Sequence, residues 1–288
     1  MLSTPPLSGA KTVGPDATTP GGVYLCQVSD TVSCGACCGL YNTPNLSRER
    51  LARMLDSRTR RFATVPRDIE AIDRFAQDTL GAEDKGRPMK NFHHCPFLGL
   101  IGPEKNAVGC LLHPLADGNQ GVDWRGLSYY GAFACATYFC PTCHALEPRY
   151  KRVVRQAADN WYDYGLMITE TGMLANFLDQ VEQQAGRTVD AEDIATYPDA
   201  ASAVRAFLAI KTTWPFADRA AFHPANFFFN QKEYAPPVID FTALGATQSR
   251  WTPVLTALWS NLDGPAALCE AEAFLDRMVH ALAAALKP

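Results

Sequence analysis

Residues 34–39 read Cys34-Gly35-Ala36-Cys37-Cys38-Gly39, a C-x-x-C with a third thiol attached. Small residues between and after the thiols let the backbone turn tightly round a metal. They also let amide N–H groups point at sulfur, where they stabilise thiolate charge. Extended, the vicinal Cys37 and Cys38 point to different sides, so one can bind a metal while the other serves a second site or packs. Residues 23–45, which add Cys26 and Pro44 to this glycine-rich run, read as loop rather than helix.

Six more cysteines follow, and five of them stay in the first half: Cys95, Cys110, Cys135, Cys140 and Cys143. Only Cys269 lies far beyond. A disulfide framework belongs to short exported chains that cannot build a core, whereas 288 residues can. The N-terminal segment 1–22 shows neither the basic nor the apolar region of a secretory signal, so a cytoplasmic protein with reduced thiols is expected. Clustered thiols in that compartment point to metal ligation or redox chemistry. A formal net charge of -4 gives no electrostatic footprint for nucleic acid or an anionic membrane, and no apolar run reaches the ~20 residues that span a bilayer.

Outward from the cysteines the periodicity is helical. Ser47 is placed to cap a helix carrying Leu51, Met54 and Leu55, with Leu46 as its staple. A second helix is expected from Pro66, through Ile69, Ile72, Phe75 and Leu80, to Gly81. Residues 95–110 read as a β-hairpin turning at Gly102-Pro103-Glu104-Lys105-Asn106, and 129–139 as extended. Beyond Pro148 cysteine nearly vanishes and helical spacing takes over. One helix is expected through Val153, Val154, Ala157 and Trp161. Others follow round Leu174–Val181, Val204–Leu208, Leu255–Trp259 and Leu268–Leu286, with an irregular aromatic stretch at 222–241. The expected fold is α+β, mostly α. A flexible arm (1–22) precedes an irregular cysteine-rich segment with a short hairpin (23–147), which packs on a helical half (148–288).

The thiol pattern resembles a known family. Cys34-Gly35-Ala36-Cys37-Cys38, then Cys95-Pro96-Phe97-Leu98, then Cys110-Leu111-Leu112, then Cys135-Ala136-Thr137-Tyr138 are similar, in order, to the motifs of the YkgJ-type cysteine-cluster proteins, zinc- or iron-chelating domains. The family's cysteine three residues before its Cys-Gly falls at Thr31 here, where Cys26 would have to substitute. The resemblance implies chelation, and a similar cluster accompanies methyl transfer in flagellin lysine methylases. No dinucleotide fingerprint or P-loop accompanies it here.

The expected function is therefore to bind a metal ion or cluster through thiolates, in a redox or metal-dependent modification role, with an unidentified protein partner allowed. Cys34, Cys37, Cys38, Cys95, Cys110 and Cys135 are the first ligand candidates, and Cys26, Cys140 and Cys143 the second. Nine thiols could supply two four-thiolate sites with one left over. An iron–sulfur cluster of 4Fe–4S type is favoured over Zn, because single cysteines arrive from distant segments and prolines follow Cys95 and Cys140. A structural zinc module is one alternative. Another is thioredoxin-like thiol exchange at Cys140-Pro141-Thr142-Cys143, with Phe222–Phe229 as the facing strand. Adding His144 makes this stretch a formal haem-attachment motif, but that chemistry needs export. His93, His94 and His113 adjoin cysteines and could complete a mixed site, or simply satisfy backbone groups. Asp159, Asp163, Glu170 and Glu182 lack di-metal spacing and read as solvated helix faces. Cys269 reads as a buried or semi-buried small hydrophobe.

Overall fold

The computed structural model describes residues 16–83, 86–90, 92–218 and 237–286. Ser47 caps the first helix as its position predicts, accepting a hydrogen bond from the Arg50 amide (3.4 Å). Helix α1 (Arg48–Ala63) buries Leu51, Leu55, Arg58 and Phe62 along one stripe. Helix α2 (Ile69–Glu83) starts later than Pro66 because Asp68 caps it, its carboxylate accepting from the Ala71 amide (2.8 Å). It also runs past Gly81, since Glu83 at its end is held by Arg58. Strands β1 (Leu98–Ile101) and β2 (Ala107–Cys110) form the expected antiparallel hairpin, with Leu98 opposite Cys110.

The remaining helices, in order, begin with α3 (Gly131–Thr137), α4 (Pro141–Ala145), α5 (Pro148–Ala157), α6 (Trp161–Met167) and α7 (Thr171–Ala185). They end with α8 (Ala191–Thr196), α9 (Pro198–Leu208), α10 (Ile210–Thr213), α11 (Thr252–Ala257) and α12 (Pro265–Ala285). The protein is thus mostly helical, with a small two-stranded antiparallel sheet.

Two of the expected elements take another form. Residues 129–139 are not extended: Ser128 receives the Gly131 amide on its hydroxyl, and the small residues Gly131, Ala132, Ala134 and Ala136 wind into α3. The single helix expected through Trp161 is two. The chain leaves α5 at Ala158, and Asn160 caps a new helix by accepting from the Asp163 amide (2.9 Å).

Two apolar cores interlock. The first joins α1, α2 and the hairpin, where Phe62, Phe75 and Phe97 meet with ring centroids 5.0 to 6.1 Å apart, and it also takes Trp161, Tyr162 and Leu166 from α6. The second lies among α5, α7, α9, α11 and α12, where Phe177 stacks on Phe207. Val23, Leu25 and Val32 from the cysteine loop enter this helical core. The described chain is tied down from Asp16, whose carboxylate pairs with Arg155. Glu170, expected on a solvated face, is instead buried against Lys211. Among the described residues no helix is long and apolar enough to cross a membrane. Residues 1–15 and the aromatic run 222–229 lie outside the described residues.

Candidate metal centre

The six-residue motif folds as a 3₁₀ turn, Ala36–Cys38, closed by Gly39 in the left-handed region (φ 78°). Glycine is required there twice over. A Cβ at position 39 would sit 2.0 Å from the His93 carbonyl oxygen, so the turn and the His93–Cys95 loop touch backbone to backbone. The contact is stitched by the Cys95 amide donating to the Cys38 carbonyl (2.8 Å) and by His94 Nδ1–H donating to the Gly39 carbonyl (2.7 Å). As expected of the motif, an amide reaches sulfur: Ala36 N–H donates to Cys34 Sγ (3.4 Å).

The other cysteines come to this turn from both sides. Cys26 is brought back to Cys34 by a small antiparallel bridge, Gln27 opposite Ser33, with the Cys34 amide on the Cys26 carbonyl (2.8 Å). Cys95 and Cys110 flank the hairpin, because Leu98, three residues after Cys95, pairs with Cys110. Cys135 lies exposed on α3, its Sγ 3.1 Å from the Ser128 hydroxyl. That helix is anchored near Cys95 by Tyr129, whose ring stacks on His93 at 4.5 Å, and by Tyr130, edge-on at 5.3 Å. Cys140 precedes α4 and Cys143 lies within it, their sulfurs 4.0 Å apart.

The sequence therefore identified nine cysteines that the fold gathers along one seam. The tenth, Cys269, stands on α12 away from them; it is exposed rather than buried, because Leu268 and Ala271 take the inner face. Among the described residues no three Cys, His, Asp or Glu side chains are already drawn to one point as a metal-holding group. The thiols instead lie within electrostatic reach of one another in a chain.

Burial governs their ionisation. It pushes the Cys26 and Cys95 thiols up to about 12 and Cys110 up to about 11, and lifts Cys34 well above the thiol range; neighbouring thiols add to each shift. Two pairs are graded within themselves. Cys38 donates to Cys37, which lowers Cys37 and raises Cys38. Cys143 donates to Cys140, which, with the Cys143 and Thr142 amides, lowers Cys140 and raises Cys143. Many half-buried thiols that resist becoming anions singly are suited to a cation, whose charge reverses that preference. Soft sulfur donors in such number fit zinc or iron–sulfur chemistry.

The histidines divide. His94 is engaged at both ring nitrogens, by the Gly39 carbonyl and by Arg58, which removes it from the ligand candidates. His113 accepts the Leu115 amide at Nδ1 (3.1 Å). His93 Nε2 is buried with no hydrogen-bond partner among the described residues, and burial holds that ring down at about 4.

Two cations were not evident from the sequence. Lys151, fully buried, gives its ammonium to the carbonyls of Cys143 (2.8 Å) and Gly21 (3.1 Å), and no carboxylate pairs with it among the described residues. Arg58, also fully buried, donates to the Cys95 carbonyl (3.0 Å) and pairs with Glu83. Their places in helical stripes, where an apolar residue is the norm, were the available signal. The chain matches no protein-family model, no curated protein and no solved structure, so its own residues carry the chemistry.

Proposed function

We propose that this protein holds a thiolate-ligated metal centre, an iron–sulfur cluster in preference to zinc, in a redox or metal-dependent modification role. The observation that carries the reading is the gathering of nine cysteines from separate segments onto the Cys34–Gly39 turn, with Cys269 left aside. Ligands arriving singly suit a cluster, whose own sulfides complete the iron coordination and relax the angles demanded of the backbone. The amide directed at Cys34 Sγ is the kind of contact that tunes cluster potential. The YkgJ-type resemblance points to the same chelating chemistry, and a cytoplasmic setting would keep these thiols reduced.

The test is anaerobic purification from iron-replete cells. Brown protein with iron, acid-labile sulfide and absorbance that bleaches on reduction is expected. Colourless protein with stoichiometric zinc and no labile sulfide would select the structural zinc alternative, and metal-free protein would refute chelation.

A second reading has its own support. Cys140, half-buried at the start of α4 and lowered by Cys143 and the helix's first amides, beside the buried Cys143, has the placement of a dithiol that attacks with one sulfur and resolves with the other. Helix α3 stands where a thioredoxin-like fold would need the strand leading into that motif, which weighs against that fold. Insulin reduction that is lost in Cys140→Ser, from metal-free protein, would favour exchange.

A further inference from the structure

We propose that the nine cysteines form two metal centres meeting at the vicinal pair: one held by Cys26, Cys34, Cys37 and Cys140 with Cys143 beside them, the other by Cys38, Cys95, Cys110 and Cys135. The proposal rests on the metal-binding reading above and divides its site in two.

The division begins in the backbone. The Cys34 amide closes on the Cys26 carbonyl, which folds residues 26–34 into one small loop. The stretch before that loop is sewn to the α4 region: Tyr24 meets Phe139 edge-on at 6.4 Å, and Lys151 joins the Gly21 and Cys143 carbonyls. These contacts deliver Cys26, Cys34, Cys140 and Cys143 to one side. On the other side the Cys95 amide closes on the Cys38 carbonyl, the hairpin sets Cys110 beside Cys95, and the Tyr129–His93 stack brings α3 with Cys135.

The 3₁₀ turn explains how adjacent residues serve different centres. Successive side chains in such a turn leave its axis about 120° apart, so Cys37 and Cys38, though in contact with each other, have different further neighbours. Apart from the contact between Cys37 and Cys38 themselves, where the two groups meet, proximity repeats the division. Cys37 lies within electrostatic reach of Cys140, and Cys26 and Cys34 within reach of both. Cys38 lies within reach of Cys95 and Cys110, and those two within reach of Cys135.

Packing makes the same separation. Cys143 is buried in the helical core with Cys140 against it, whereas Cys95 is buried in the aromatic core with Cys38 and Cys110 against it; Cys34 touches both. Each side also has its own cation. Four thiolates round a divalent ion leave a net charge of about −2. Lys151 stands at the first group, while Arg58 on the Cys95 carbonyl and Arg125 near Cys110 and Cys135 stand at the second, each of these two arginines also paired with a carboxylate, Glu83 and Asp123.

The test counts sites with Co(II) alone, added anaerobically to the thiol-reduced, metal-free full chain and read by its thiolate charge-transfer bands. Two equivalents are expected. Cys135→Ser, at an exposed position, leaves three thiols on its side and should bind one equivalent. Cys26→Ser with Cys140→Ser leaves three on the other side and should also bind one. The triple combination should bind none, and Cys269→Ser two. A single equivalent in the unaltered chain, abolished by either variant, would overturn the division while leaving chelation intact. Two equivalents retained in both variants would overturn it as well. No Co(II) uptake, with no metal in anaerobically purified protein, would overturn chelation itself.

Discussion

The ammonium of Lys151 on α5 lies 2.8 Å from the carbonyl oxygen of Cys143, buried beneath the thiols with no carboxylate among the described residues to answer it. Burial lowers its proton affinity, while the charge of Cys143 and Cys140 works in the opposite direction. An anionic centre would complete the pairing that the carbonyls only begin. Lys151→Met is expected to lose about 1–3 kcal/mol of stability, from carbonyls left without a donor, and to surrender metal faster to a chelator. Thermal unfolding with and without metal separates the two effects. Equal losses in both states would mean that Lys151 serves the fold alone.

Cys37→Ser should lower metal content and melting temperature together, because a thiolate site contributes its binding free energy to folding. Cys269→Ser, exposed on α12, should change neither. Metal analysis beside a melting curve decides the matter, and parallel behaviour of the two variants would remove the distinction between ligand and bystander thiols.

Gly39→Ala should be among the most damaging single substitutions in the chain. It places a Cβ 2.0 Å from the His93 oxygen and forces a left-handed φ on alanine. A loss of about 2–4 kcal/mol is expected from strain and overpacking combined. Because the same turn carries Cys37 and Cys38, metal content should fall with it, whereas Gly81→Ala, in open space on α2, should not destabilise. Comparable melting temperatures for the two variants would contradict this.

Glu83 gives the fold a titratable clasp. Burial alone would raise its carboxyl, but His94 and Arg58 together hold it at about 2, below its usual value near 4.5. A depressed carboxyl contributes stability that is present above its unfolded value and is lost as pH falls from near 4.5 toward 2. The loss over that window is on the order of 2–3 kcal/mol. Denaturation midpoints measured across it should decline less steeply in Glu83→Gln, which will start from lower stability near neutral pH.

The helical half was legible because its periodic apolar residues and its punctuation agreed. Gly186 ends α7 in a left-handed residue, and Pro198 and Pro265 begin α9 and α12. The hairpin was legible for a similar reason, since Gly102 and Asn106 bracket its turn. Residues 129–139 misled because alternating aromatic and small residues fit a strand by pattern, yet Ser128 and three alanines decided for a helix. Glu170 misled because its partner, Lys211, lies 41 residues on in sequence, beyond three helices. The nine gathered cysteines could be picked out from composition and spacing, but which of them lie together could not. Which sulfur neighbours which depends on the 26–34 bridge and the Cys38–Cys95 contact, and neither leaves a periodic trace.

The seating of the cysteine loop on helices made much later sets a timetable for synthesis: Tyr164 on α6 donates to the Leu25 carbonyl (2.7 Å), and Lys151 on α5 joins the Gly21 and Cys143 carbonyls. At about 5–20 residues per second, a ribosome takes roughly 7–28 s to travel from Leu25 to Tyr164. For all that time the first-made cysteine segment lacks the helices it packs on. A metal held there, as proposed, would be loaded only after α6 has emerged, and the waiting thiols would be open to wrong sulfur pairings.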